Sequence, residues 1–124
     1  MGARFEGAYD VDCVEAGGRW AATVRGAGLP ASAGHSTPAE LVFAALDLLA
    51  AHTGMRPAQL RLHPAGGRPI EAHFPPGRSE HRTSTEHGTD WSDTWTASPD
   101  PDVPGAVCIA ARRQAVTPRH TRTP

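Results

Sequence analysis

The sequence predicts an α+β protein: a small antiparallel sheet with one packed helix, in the order β-β-β-α-β, followed by a largely disordered C-terminal tail. Two alternating apolar runs joined by Gly17-Gly18, and a capped amphipathic segment after them, predict the folded part. The tail is predicted because residues 1–64 hold 32 of the 48 apolar residues and all seven leucines. We therefore expect a folded α+β domain over residues 5–74 and a low-complexity, disordered tail over residues 75–124.

The first two strands are predicted as a hairpin. Residues 8–16 alternate between polar and apolar positions, and Val11 and Cys13 lie on the apolar face. Residues 19–25 repeat the alternation with Trp20 on the apolar face, and the Gly-Gly pair between the runs allows the positive φ angles of a tight turn. The two apolar faces should form one buried surface, on which Cys13 acts as a small hydrophobic group.

A helix is predicted over residues 38–53. Residues 37–40 form a capping box with proline at the first helical position, and Gly54 is a suitable C-terminal cap. The helix carries an apolar stripe that it cannot bury alone, so it should pack on the hairpin. A short edge strand is predicted near residues 31–36, before the helix, and another strand at residues 59–63, after it.

The tail is predicted from its composition. Serine and threonine fill nine of the twenty positions 79–98. Residues 86–102 carry five acids and no arginine, whereas residues 103–124 carry four arginines and no acid. Trp91 and Trp95 are isolated apolar residues in this region and could anchor a partner.

Composition excludes several classes of protein. No apolar run approaches the ~20 residues of a membrane-spanning helix, and two cysteines exclude a disulfide scaffold. The net charge of -1 excludes a uniformly basic nucleic-acid binder. Distant cysteines and the lack of an apolar leader predict a cytoplasmic protein with free thiols. All basic residues other than histidine are arginine, a bias typical of a high-GC bacterium.

No catalytic set, metal site or cofactor site is predicted. His63, His73, His81 and His87 lack the close spacing of paired ligands, and we interpret them as solvated loop residues. The chain has no Gly-x-Ser-x-Gly elbow and no complete glycine-rich phosphate loop. We therefore expect a protein that is not an enzyme and needs no cofactor or metal.

Four short stretches, taken with the order of elements, form a wider pattern: Tyr9-Asp10-Val11, Gly18-Arg19-Trp20, Gly28-Leu29-Pro30 and Ser36-Thr37-Pro38-Ala39-Glu40-Leu41. This pattern, over residues 8–63, resembles the N-terminal domain of the HicB-family antitoxins. The resemblance implies a partial RNase H-like fold without the catalytic carboxylates, which binds and covers a small dsRBD-like, mRNA-cleaving toxin. Many members of this family also carry a C-terminal DNA-binding module. Residues 75–124 show no helix-turn-helix or ribbon–helix–helix pattern, so the resemblance does not extend to binding of operator DNA.

The predicted function is accordingly a non-catalytic protein-binding module like a HicB antitoxin, or an orphan relative of one, with a small toxin-like protein as partner. We expect the partner surface on the sheet edge, the hairpin and residues 26–36. The candidate partner-binding residues are Arg19, Arg25, Leu29 and His35. No contact with a membrane is expected, and a homodimer stays open.

Two alternative functions stay open. A metal-dependent nuclease of RNase H-like fold could gather Asp10, Asp12 and Asp47 around Mg²⁺. Asp47, however, lies off the apolar stripe of the helix and is expected to face water. Alternatively, the four arginines between residues 112 and 122 could contact phosphates and make this a nucleic-acid-associated protein.

Overall fold

The computed structural model describes residues 8–26, 28–65 and 69–116, which form one helix and a seven-stranded sheet. The strands lie in the order β3-β2-β1-β4-β7-β6-β5, and the sheet curls into a half-barrel. In chain order the elements are β1 (Ala8–Ala16), β2 (Arg19–Val24), β3 (Ser32–His35), α1 (Pro38–Thr53), β4 (Gln59–Pro64), β5 (Ser79–Glu86), β6 (Thr89–Pro99) and β7 (Val107–Ala115).

The hairpin predicted at the start of the chain is present. Strands β1 and β2 pair antiparallel up to the pair Ala16–Arg19. Gly17 and Gly18 form the turn with φ angles of 61° and 81°, a region that residues with a Cβ rarely adopt. The apolar faces of both strands are buried, so the predicted period of two is confirmed here.

Helix α1 begins and ends where its capping residues predict. The Thr37 hydroxyl accepts a hydrogen bond from the Glu40 amide at 3.1 Å. The Glu40 carboxylate in turn accepts from the Ser36 amide at 2.9 Å, one residue before the amide that a capping box predicts. Gly54 ends the helix with a φ of 82°. No helix in the described ranges is long and apolar enough to cross a membrane.

Strand β4 lies inside the sheet because it pairs on both sides. On one side it runs parallel to β1, the arrangement that a helical crossover allows. On the other side it pairs antiparallel with β7, and Leu60 and Leu62 lie opposite Ile109 and Val107. The chain after β4 therefore continues the same sheet.

The predicted fold class, a small β-β-β-α-β sheet followed by a disordered tail, is wrong. Residues 79–115 form three antiparallel strands that extend the sheet, with β5 and β6 joined by a turn at His87-Gly88. The serines and threonines of this region lie mostly on one face of β5 and β6, and threonine and tryptophan favour strands. Residues 117–124 of the predicted tail lie outside the described residues.

Helix α1 packs against one face of the sheet, which we call the inner face. Its buried residues are Leu41, Val42, Phe43, Ala45, Leu46 and Leu49. They meet a core that includes Trp95 of β6, a residue with no exposed surface. The ring of Trp95 contacts those of Phe43 and Phe74, with centroid distances of 6.4 and 5.9 Å. The core therefore draws its largest fully buried side chain from the segment predicted to be disordered, and Trp95 has no exposed surface with which to anchor a partner.

Removal of residues 79–124 should leave the remaining chain unfolded. The truncation takes Trp95, Val107 and Ile109 from the core and exposes the β4 edge that β7 covers. Thermal melting followed by circular dichroism should show no cooperative transition for the fragment 1–78. The fragment 1–116 keeps all seven strands and should melt cooperatively; a cooperative transition in fragment 1–78 would contradict the observed core.

Leu46→Ala should lower the free energy of unfolding by about 2–5 kcal/mol, because Leu46 is buried at the centre of the helix face. Leu48→Ala is the matched control, since Leu48 is only half-buried, and it should cost less. Urea denaturation at neutral pH measures both values. Equal losses for the two variants would show that the helix is turned differently about its axis.

Candidate functional site

One end of the sheet combines an open strand edge with two of the predicted partner-binding residues. Strand β3 is the edge strand, and the register places His35 beside Trp20 of β2. Arg19 is exposed, and its Nη1 atom donates to the Gly34 carbonyl at 3.1 Å. The His35 ring lies 2.7 Å, through Nε2, from the Ser32 hydroxyl. The structure thus brings Arg19 and His35 together in what we call the β3-edge surface: Arg19 and Ser32–His35.

The other two predicted residues lie apart from this pair. Arg25 follows the far end of β2, six residues or about 20 Å along an extended chain from Arg19. Its guanidinium donates from Nη2 to Asp12 at 2.8 Å and from Nε to both carboxylate oxygens of Asp12 at 3.1 Å. Leu29 is half-buried and packs against the core. Of the four residues, Arg19 and His35 are therefore the neighbours.

The three carboxylates of the nuclease hypothesis lie on two sides of the sheet. Asp10 and Asp12 alternate with the buried residues of β1 and so point to the outer face, whereas Asp47 belongs to α1 on the inner face. A hydrogen bond from His63 lowers the pKa of Asp10, and one from Arg25 lowers the pKa of Asp12; partial burial opposes both shifts. Within residues 8–26, 28–65 and 69–116, no group of three or more His, Cys, Asp and Glu residues is arranged to hold a metal ion.

The histidines are less uniform than predicted. The interpretation as solvated loop residues is wrong in both respects for His63 in β4, and wrong only about the loop for His81, which lies in β5 but is exposed. His63 is buried, with its Nε2 atom 2.8 Å from an Asp10 carboxylate oxygen. His73 and His87 are exposed in turns, and the ring of His73 packs edge-on against Trp20.

Both thiols are free, as predicted, and Cys13 is buried on the inner face. Burial is the main cause that raises the pKa of Cys13 to about 12, and it also raises the pKa of Cys108. A thiol with a raised pKa holds little thiolate at neutral pH and is a poor nucleophile.

The largest group of interacting charges was not predicted from the sequence. Asp93 of β6 lies between two arginines on the inner face, Arg82 of β5 and Arg113 of β7. Arg113 donates from Nε and Nη2 to the two oxygens of Asp93 at 2.6 and 3.0 Å, and Arg82 donates from Nε at 3.1 Å. Asp93 is only 3% exposed, so this is a buried, multiply bonded carboxylate.

The same arginines connect the sheet to the helix and to the hairpin turn. Arg82 donates from both terminal nitrogens to the Asp47 carboxylate, which also accepts from Arg56 at 2.6 Å. Arg113 donates to Glu86 at 2.9 Å. We call the whole set the arginine–carboxylate network; its members are Asp47, Arg56, Arg82, Glu86, Asp93 and Arg113. Asp47 was expected to face water; its side chain is 43% exposed, but two arginines bind its carboxylate, a pairing that the sequence did not predict.

The network favours the charged form of its acids. The hydrogen bond from Arg113 is the largest cause that lowers the pKa of Asp93, and burial opposes it. For Asp47 burial is the largest single influence and would raise the pKa, but hydrogen bonds from Arg82 and Arg56 outweigh it and the pKa is lowered. The three acids and three arginines balance in charge, so the arrangement suits a structural connection rather than proton transfer.

The sequence carried a signal for this network in its charge segregation. Asp93, one of the acids of residues 86–102, lies opposite Arg113, one of the arginines of residues 103–124, because β6 and β7 are antiparallel. Of the four arginines predicted to contact phosphates, Arg113 is held in the network and Arg112 is exposed on β7. Arg119 and Arg122 lie outside the described residues. Trp91 is half-buried, with the Arg113 guanidinium 5.1 Å from its ring centre.

No family model matches the chain, no curated protein is significantly similar to it, and no solved structure matches it significantly. Its function is therefore inferred from the contacts of its own residues.

Asp93→Asn should lower the free energy of unfolding by about 3 kcal/mol at pH 7, because it leaves two arginines without their shared carboxylate. The folded-state pKa values of Asp47 and Asp93 lie below the ordinary 3.8. Their contribution is therefore complete above about pH 5 and is lost progressively as the pH falls through the unfolded-state values and then the folded ones. Urea denaturation between pH 5 and pH 2 should show a smaller fall in stability for Asp93→Asn than for the unaltered protein.

Asp90→Asn is the matched control, since Asp90 is an exposed carboxylate on the same strand, and its cost should stay below about 1 kcal/mol. The buried network would be shown to contribute nothing if both variants lost the same small amount and kept the same pH dependence.

Proposed function

We propose that the protein is a non-catalytic binding module that resembles the HicB-family antitoxins and covers a small partner protein. The observation that carries the proposal is the β3-edge surface, an open strand edge without charged residues that lies beside an exposed arginine. The order β1-β2-β3-α1-β4, on which the resemblance depends, also supports it.

Strand β3 suits the addition of a partner strand. Among the described residues it pairs with β2 alone, so the main-chain groups along its other side have no strand partner. Its sequence is Ser-Ala-Gly-His, and the small residues Ala33 and Gly34 are exposed, so a second backbone can approach closely. Charged side chains on an edge strand discourage such pairing.

The opposite edge of the sheet differs in this respect. Strand β5 is twice as long, with eight residues, but it carries Glu80, Arg82 and Glu86. Arg82 and Glu86 are moreover held in the arginine–carboxylate network. This contrast favours β3 as the docking edge.

Arg19 supplies a directional contact at the docking edge. Its Nη1 atom bonds to Gly34, and its other donors have no acceptor among the described residues. An exposed guanidinium can bind a carboxylate or a main-chain carbonyl of the partner with good geometry. His35, bonded to Ser32, lies in the same strand.

The test is recovery of the partner with the full chain as bait in an extract of the source cells, followed by purified binding and RNA-cleavage assays. We expect a small protein at equal stoichiometry whose RNA cleavage the bait inhibits. Ala33→Lys places a charge on the docking edge, and Arg19→Glu reverses the neighbouring one. Each should weaken the complex by about tenfold or more.

Thr83→Lys is the matched control, because Thr83 is an exposed residue on the β5 edge, and it should leave the affinity unchanged. Recovery of a second copy of this chain alone, or a complex that Thr83→Lys weakens while Ala33→Lys does not, would rule out the proposed function or its docking edge.

A further inference from the structure

The outer face of the sheet carries an apolar row that runs to the β3 edge. The strand register places Val14 of β1 opposite Ala21 of β2, and Ala21 opposite Ala33 of β3. Val14 and Ala21 point to the outer face, because their chain neighbours Cys13 and Trp20 are buried on the inner face, and Ala33 shares the side of Ala21. Although β1 lies inside the sheet, the side chain of Val14 is 41% exposed. We call these three residues the outer apolar row.

Arg19 lies next to this row at the same edge. It precedes Ala21 by two positions in β2, so its side chain also points to the outer face. Its guanidinium reaches across to β3, where Nη1 donates to the Gly34 carbonyl at 3.1 Å. Gly34 has no partner in β2, because the register shifts at this point. Arg19 makes no ion pair with a described residue, so its positive charge is available at the open edge.

A strand added to β3 would meet both features at once. Alternate side chains of an extended segment point to the same face and are about 7 Å apart. One outward side chain of the added strand would lie beside Ala33, and the next on that face would lie beside the Arg19 guanidinium. The two positions differ in chemistry, since one is apolar and the other is cationic.

We propose that the β3-edge surface binds an extended segment of the partner protein in which a large apolar residue and an acidic residue are two positions apart. This inference rests on the proposed function and specifies the segment that the docking edge selects. The apolar side chain lies across Ala33 towards Val14, and the carboxylate accepts hydrogen bonds from the unused donors of Arg19. The charge of the acidic residue is opposite to that of the edge, which favours this segment over a neutral or basic one.

The direction of the added strand sets the order of the two residues. Arg19 bonds to Gly34, which follows Ala33 in β3. In an antiparallel pairing the acidic residue therefore precedes the apolar one, and in a parallel pairing it follows.

An NMR titration of the full chain with synthetic peptides tests the proposal. The probes are acetyl-Ser-Thr-Glu-Thr-Phe-Thr-Ser-amide and the reverse order acetyl-Ser-Thr-Phe-Thr-Glu-Thr-Ser-amide, each with a version that has Gln for Glu and one that has Ala for Phe. We expect one of the two parent peptides to bind with a dissociation constant below about 1 mM and to shift the amide signals of β2 and β3. Gln for Glu should weaken its binding by about threefold or more, and Ala for Phe by about tenfold or more.

Variants of the chain assign the two contacts. Arg19→Glu should reverse the charge preference, so that a peptide with lysine in place of the acid binds better than the acidic peptide. Val14→Ser should weaken binding of the Phe peptide by about threefold and leave that of the Ala version unchanged. Arg112→Glu is the matched control, because Arg112 is an exposed arginine on the outer face of the distant strand β7, and it should have no effect.

The proposal is overturned if no peptide binds up to about 5 mM, if the Gln or Ala version binds as well as its parent, or if Arg19→Glu does no more than Arg112→Glu. The proposed function survives these results as long as Ala33→Lys still weakens the complex with the recovered partner. If Ala33→Lys leaves that complex unchanged, the docking edge is wrong and this inference falls with it.

Discussion

The bonds from Arg82 and Arg113 to Asp93 join the three C-terminal strands to one another and, through Asp47, to the helix. The inner faces of β5, β6 and β7 have few large apolar residues beyond Trp95 and Ile109, so apolar burial alone would give this half of the sheet little support. The charges offset each other, and the guanidinium groups of Arg82 and Arg113 lie over the rings of Phe43 and Trp91. Without its partners, any one of these half-buried charges would be costly to keep from water.

The apolar core and the network divide the inner face between them. The core follows the helix stripe from β2 to the middle of β6, where Trp95 meets Phe43 and Phe74. The arginine–carboxylate network lies next to this core, begins at Asp47 of α1 and extends to Glu86, before the turn at the end of β5. The apolar side of helix α1 thus packs against the core, and Asp47 at its charged edge binds the arginines of the network. This arrangement explains how a chain with most of its large apolar residues in the first half still orders seven strands.

The surfaces left for function follow from that division. The helix and the network occupy much of the inner face, so a protein partner has the open strand edges and the outer face. Of the two edges, β3 has no charged residue to discourage pairing, whereas β5 has several.

The sequence by itself determined the local elements. The Gly17-Gly18 turn, the Thr37 cap and the helix up to Thr53 appear where their patterns predict, because these signals act within a few residues. Within the candidate site, Arg19 and His35 were found because the predicted partner surface included the hairpin, which contains Arg19, and residues 26–36, which contain His35. Trp91, Asp93 and Trp95 recur at a period of two, but the many serines and threonines of residues 79–98 favoured the interpretation as a disordered tail.

Only the tertiary structure decided how far the sheet extends and which charges meet. Arg82 reaches Asp47 across 35 positions, and His63 reaches Asp10 across 53. The first contact depends on the pairing of β4 with β7, and the second depends on the parallel pairing of β4 with β1. No local pattern specifies these pairings or the face of the sheet to which each side chain points. The composition also led to the wrong prediction of a disordered tail. A count of apolar residues does not include charged side chains that are buried together with partners of opposite charge. The strands of the second half are ordered by neighbours that are distant in the sequence, so their stability could be recognised only once those neighbours were in place.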